Sequence, residues 1–546
     1  MIPGLPPLVF LESVALSGAA TVTIPASGTI AGHANFPAGG QHAVLVVEGI
    51  SAVAGFRHIR HRLNSDSGTN YHDVHMDGEG SGVSASTNTG GTDIILGVCG
   101  SSVVGGGTYI IPRFANTTFH KNILGHGAAS ENYMRSGVGR WANTAAVTDW
   151  EIYPDGGNWV AGAKASLYIV DDNSLVDSET IAGSDAVFGQ FSGWSAANGN
   201  LSIIGDTRST KSAQSENMLL RINGDSTDGN YRYQQINANV STISAGAGAL
   251  PFVGHPPAAS ATSGISGALL ATVDNYNGGD ADGAYLSSGG WAQDGSTSHT
   301  MGVAGRWFNV AAITAIDILL GTVTNTFLVG SYIGIYGSLP AVELDRQAMD
   351  GGETEVDLDM SKIGDAVVDL RVNIYGQMTK SGTGDWGKVG LEFNGDTTDG
   401  NYHTQVLDGN GSGVWAGKDD ADGNEVGIMP SDNNGDADNM GTLSILIPGY
   451  KNTSLQKHRL SISGAGGGPN AGEQDIRYTS SRWANTAAIT AIKIVCTDSF
   501  DAGTIIQLEG LAQPALGWTG TVMGVANPGK VMGVERANIG KIMGVA

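Results

Sequence analysis

One ten-residue phrase occurs three times along this chain. Gly139-Arg140-Trp141-Ala142-Asn143-Thr144-Ala145-Ala146-Val147-Thr148 returns as Gly305-Arg306-Trp307-Phe308-Asn309-Val310-Ala311-Ala312-Ile313-Thr314. It returns again as Ser481-Arg482-Trp483-Ala484-Asn485-Thr486-Ala487-Ala488-Ile489-Thr490. Successive tryptophans lie about 170 residues apart, too far for a solenoid repeat and the right length for a whole domain. A second phrase keeps the same rhythm. Ile222-Asn223-Gly224-Asp225-Ser226-Thr227-Asp228-Gly229-Asn230-Tyr231 matches Phe393-Asn394-Gly395-Asp396-Thr397-Thr398-Asp399-Gly400-Asn401-Tyr402. A version one residue shorter runs from Leu63-Asn64-Ser65-Asp66 to Asn70-Tyr71. The chain is therefore divided into three copies of one module, at residues 1–172, 173–340 and 341–514, followed by a tail at 515–546. The joints around 171–184 and 341–353 are short, so the modules are expected to stack along an axis with little freedom between them.

After each Arg-Trp phrase the pattern turns to period two. Ile492, Ile494 and Cys496 share one face, as do Ile316, Ile318 and Leu320, and Trp150 with Ile152. The intervening Glu151, Asp317 and Lys493 have no fixed sign, as on a strand face that needs only water. Further strands are expected at 42–49, 165–170, 331–337, 366–375, 443–448 and 504–511, and no segment keeps a helical period over three turns. Composition agrees. Glycine supplies 83 of the 546 residues and charged residues only 15%, which favours short strands joined by many turns. The expected fold is all-β, three tandem antiparallel β-sandwich modules of jelly-roll-like type plus a short strand-forming tail.

Charge narrows the partners. Lys plus Arg number 28 against 52 Asp plus Glu, a net charge of −24 that repels phosphate backbones, so no nucleic-acid partner is expected. Cys99 and Cys496 are too few for a disulfide scaffold and fit assembly in a reducing cytosol. No Lys or Arg precedes Arg57, so a secretory signal lacks its basic region, and no apolar run is long enough for membrane insertion to be expected.

Candidate chemistry is sparse. Asp225 with Asp228, and Asp396 with Asp399, could hold calcium through oxygen ligands. The competing reading is a turn in which Asn and Asp bond their own backbone and Gly takes positive φ. No other cofactor is implied. His58, His61, His72, His75, His120 and His126 crowd the first module, but those three apart on a strand point to opposite faces, which weakens a shared metal site. Arg140, Arg306 and Arg482 beside Trp141, Trp307 and Trp483 could form a ligand-binding cation–π pair. More simply, Trp anchors the core while Arg covers its edge. Trp194, Trp291, Trp386 and Trp415, expected in Gly-rich loops, are candidates for a sugar platform or for packing against another chain. No nucleophile elbow, zinc helix or phosphate loop occurs, and no enzyme activity is expected.

The tail carries Val522-Met523-Gly524-Val525, Val531-Met532-Gly533-Val534 and Ile542-Met543-Gly544-Val545, with three basic residues against one acidic. Met523, Val525, Met532, Val534, Met543 and Val545 suit strand addition to another chain, with Met filling adaptable pockets. The stretch from Lys530 to Val545 resembles the C-termini of tailed-bacteriophage virion proteins. The module endings Gly330-Ser331-Tyr332-Ile333-Gly334-Ile335-Tyr336-Gly337 and Gly503-Thr504-Ile505-Ile506-Gln507-Leu508-Glu509-Gly510 are similar to the closing strand of repeated phage structural modules. The resemblance implies a virion component assembled in the host cytoplasm, in the first place a homotrimeric tail or head fibre subunit held to identical chains or other virion proteins by its tail. A capsid-decorating or baseplate protein and a lectin-like adhesin for a host surface glycan are the alternatives.

Overall fold

The computed structural model describes residues 5–16, 18–34, 36, 40–101, 104–129, 133–183, 185–194, 200–274, 282–293, 297–322, 324–337, 343–364, 367–379, 386–419, 423–431, 440–465 and 475–512, and four two-residue strands beyond. The first module is built from β1 (Leu8–Ala15), β2 (Val22–Ile24), β3 (Ala43–Gly49), β4 (Arg57–Leu63), β5 (Tyr71–Glu79) and β6 (Gly82–Gly91). It continues with β7 (Ile94–Cys99), β8 (Gly105–Ile111), β9 (Lys121–Ala129), β10 (Tyr133–Trp141), β11 (Trp150–Pro154) and β12 (Lys164–Val170). Eight of these lie side by side in the order β1-β12-β3-β8-β9-β10-β5-β6. The other four form β2-β11-β4-β7, joined to the larger sheet by the single pair Val98↔Gly106. Only glycine fits at that junction, because a Cβ on Gly106 would stand 1.9 Å from the Val47 carbonyl oxygen.

The second and third modules repeat this as an eight-stranded and a four-stranded sheet with the same strand order, all pairs antiparallel. The all-β sandwich architecture expected from the period-two pattern is thus what the chain forms. Each module has an apolar filling between its sheets. Ile59, Leu63, Ile94, Trp141 and Trp150 lie in the first, and Ile222, Tyr231, Trp307 and Ile316 in the second. Outward positions on the small sheets carry the charges, with Glu151 near Arg62 at 3.5 Å and Lys493 paired with Glu355.

The modules do not stack end to end, and that expectation is corrected. They stand around a common axis, with the outer faces of their large sheets turned inward. β5, β6 and β10 each touch both of their counterparts, which run Tyr231–Asn239, Thr242–Gly248 and His299–Trp307 in the second module. In the third they run Tyr402–Asn410, Gly413–Asp419 and Asp475–Trp483. Val74, Met76, Ile236, Ala238, Leu407 and Ile476 meet there in one apolar cluster continuous with the third module's core. β9, β10 and the strand Asp475–Trp483 are buried on both faces, so they lose the polar side of the alternation.

The ring closes through polar contacts at matching positions. Glu48, Asp206 and Tyr375 each face the first residue of their module's closing strand. Each bonds across a different junction. Asn452 donates to Glu48 (3.3 Å), Asn116 to Asp206 (3.3 Å), and Tyr375 donates to the Asp282 carbonyl (2.6 Å). Deeper in, Gln234 donates to the Gly411 carbonyl (3.1 Å), and its counterpart Gln405 to the Gly80 carbonyl (2.9 Å). The short joints bind the modules closely, but as a ring.

Candidate functional site

The residues shared by all three modules hold the modules together internally. Each Trp of the Arg-Trp phrase is buried in its module's core and donates its indole N–H to the aspartate of the other phrase. The pairs are Trp141 to Asp66 (2.7 Å), Trp307 to Asp225 (2.9 Å) and Trp483 to Asp396 (2.7 Å). The same carboxylates accept from neighbours within the turn: Gly68 N and Asn70 Nδ2, Thr227 N and Asn230 Nδ2, Thr398 N and Asn401 Nδ2. Donors on both oxygens favour the charged form, and Asp66, Asp225 and Asp396 are held below the usual carboxylate range. For Asp66 the indole is the largest influence; for the other two, the donors outweigh a desolvation that acts the opposite way.

The asparagines complete the clasp. Asn64, Asn223 and Asn394 accept from Thr148, Thr314 and Thr490 N–H (2.7–2.8 Å), with their own φ near 54°. Asn enters this left-handed region more readily than most residues, and Gly follows it in two modules. The calcium candidates therefore have specific surroundings. Asp225 and Asp396 face indole, amide and backbone N–H groups, while Asp228 and Asp399 open the three-residue turns Asp228–Asn230 and Asp399–Asn401. Among the described residues no cluster of His, Cys, Asp or Glu is arranged to hold a metal ion.

The arginines do not join their tryptophans in bonding the aspartate of the other phrase. Each meets the residue that precedes the strand equivalent to β9. Arg140 lies 3.0 Å from His120 Nδ1, Arg306 ion-pairs with Asp282 (2.6 Å), and Arg482 donates to Gln456 (2.6 Å). One buried guanidinium is thus met by a histidine, an acid and an amide in turn. Arg306 also lies 4.4 Å from the centre of the Phe308 ring.

The first module's histidines are dispersed. His61 accepts from Trp150 Nε1 (3.1 Å) inside the core, where burial drives its pKa down to about 3. His58 lies 3.2 Å from Arg135, and its pKa falls to about 4 through burial and that cation. His75 contacts Asp73 and Asp77, while His72 accepts from Gly90 N–H. Of the tryptophans expected in loops, Trp291, Trp386 and Trp415 lie in strands instead. Trp291 is fully buried and Trp194 donates to the Ile313 carbonyl (2.6 Å); only Trp415 is exposed, at 44%. Met523, Met532, Met543 and Val545 lie outside the described residues. Val525 and Val534 fall in two-residue strands paired with Thr521–Val522 and Lys530–Val531.

What sequence reasoning missed is the axis. Ser136, Gly302 and Tyr478 occupy the same position in their strands, five residues before the repeated Trp, and they meet. A Cβ on Gly302 would stand 2.0 Å from the Tyr478 hydroxyl, so one large side chain fills the space of its smaller counterparts. On the neighbouring strands His126 bonds Ser288 (3.0 Å) at its own equivalent position and stacks on Tyr478 at 5.1 Å. Comparing these three positions across the repeats carries the signal: one tyrosine, one serine, one glycine.

No family model and no curated protein matches the chain. Solved structures align only weakly. Domains LG4-5 of the mouse laminin alpha1 chain are 7% identical over 62% of this chain and 96% of that one, with a TM-score of 0.12. OccK7 of Pseudomonas aeruginosa is 8% identical over 83% and 98%, with a TM-score of 0.10. Neither likeness carries a functional argument.

Proposed function

We propose that the chain is a non-enzymatic structural component of a bacteriophage virion, an appendage subunit attached through its tail. The observation that supports this reading is the work done by the repeated residues. Trp, Asp, Asn and Arg are each engaged in holding strands or modules in place, as in a scaffold whose shape is its product. The modules already occupy one another's large-sheet faces within one chain. Contacts with identical chains in a homotrimer, or with other virion proteins, then fall to the Met-Gly-Val tail and the outer surfaces.

The closed ring favours a compact capsid-decorating or baseplate element, or the head of a fibre, over a thin shaft of stacked modules. Deleting residues 518–546 is expected to abolish incorporation into particles while leaving the ring folded. Normal incorporation of the truncated chain would overturn the proposal.

A further inference from the structure

The large sheet of each sandwich extends beyond the small one, leaving the strand equivalent to β6 as a ledge at the module's mouth. In the third module a row of three partnered residues crosses it: Trp415 opposite Asp408, and Asp408 opposite Arg477. Arg477 is fixed by Asp408 (2.6 Å) and by Glu425 from the small sheet (2.5 Å), and its guanidinium lies 5.3 Å from the Trp415 ring centre. A Cβ on Gly417 would stand 2.6 Å from the indole, so the ring lies over that glycine. Glu425 also meets Lys388 at 3.1 Å and lines a cleft of about 250 Å³ with Lys388, Asn424, Asp399 and Thr497.

Among the described residues Trp415 is the one aromatic in the group of exposed large apolar side chains. The equivalent rows are Ser84–Asp77–Arg135 in the first module and Ser244–Asn237–Met301 in the second. The indole is therefore an addition peculiar to one copy, at a position where the fold is served by serine. A flat exposed ring at the end of the Arg477–Glu425–Lys388 chain, in which Lys388 is partly exposed and the other two are buried, matches a ligand with one apolar face and a rim of hydroxyls. The two cations are each paired with an acid, and the whole chain is strongly negative, which disfavours anionic ligands.

We infer that the third module binds a neutral pyranose saccharide, with Trp415 stacking on the sugar ring, the partly exposed Lys388 presenting hydrogen bonds to its hydroxyls, and the buried Arg477 and Glu425 holding the two in place. This goes beyond the virion reading and does not depend on it.

The test is a glycan array carrying neutral hexose, sialylated and uronic-acid oligosaccharides, probed with the full chain and followed by calorimetry on the best binder. Saturable binding to neutral oligosaccharides is expected. Trp415→Ser, which installs the residue used by the other modules, is expected to weaken it roughly tenfold with unchanged melting temperature. No binding, binding only to the acidic glycans, or equal affinity of Trp415→Ser would each overturn the inference. Particle incorporation of the same variant is expected to be normal, which keeps this test separate from that of the tail.

Discussion

Ser65 occupies a left-handed backbone position with φ 51°, where the other modules carry Gly224 and Gly395. A non-glycine residue there costs roughly 1 kcal/mol. Ser65→Gly is therefore expected to stabilise the protein by about that amount, read from its denaturant midpoint, and a loss of stability would contradict the assignment. The indole-to-carboxylate bond makes a sharper prediction. Trp483→Phe keeps the ring in the core but removes the donor to Asp396, for a cost of roughly 1–2 kcal/mol, and raises the Asp396 pKa. Because Asp66, Asp225 and Asp396 titrate low when folded, their contribution is present above about pH 4 and is lost as pH falls through their folded values. Both phrases of the clasp were legible in the sequence as repeats. Their partnership was not, because Trp483 and Asp396 lie far apart in the chain and only the sheet register brings them together.

At the level of strands, the period-two pattern located the module endings well. The stretch expected at 165–170 is β12, and that at 504–511 is Ile505–Ala512. It failed for the strands at the axis. β9 and β10 carry glycine, serine and histidine yet are buried on both sides, so composition gave no sign of a second packed face. Packing at that face is testable. Gly302→Val is expected to destabilise by about 1–3 kcal/mol, because its side chain would occupy the space of the Tyr478 ring. Adding Tyr478→Ala to it should recover part of that loss, and the two changes should fail to add by at least about 0.5 kcal/mol in a double-mutant cycle. Strict additivity would mean that the two strands do not meet.

The whole molecule is a ring closed by three junctions, and each contains a carboxyl group whose pKa burial has raised: Glu48 to about 8, Asp274, which accepts from Thr442 of the third module (2.8 Å), to about 7, and Asp206 in the same direction. A carboxyl raised on folding contributes stability that is complete below its unfolded value near pH 4 and is lost as pH rises through its folded value. Melting temperature is thus expected to fall between about pH 5 and pH 9, and Glu48→Gln should flatten the decline. Equal slopes in the two proteins would place Glu48 outside the junction. Fold class and triplication could be inferred from the sequence alone, whereas the ring could not, since each junction depends on side chains that differ from module to module. The most direct measurement of the ring uses spin labels on the exposed hairpin tips at Ser81, Ser241 and Ser412, one in each module, taken in pairs in the full chain. Three short and similar distances are predicted. A separation between Ser81 and Ser412 well beyond the other two would mean that the modules form a line, and the ring would be wrong.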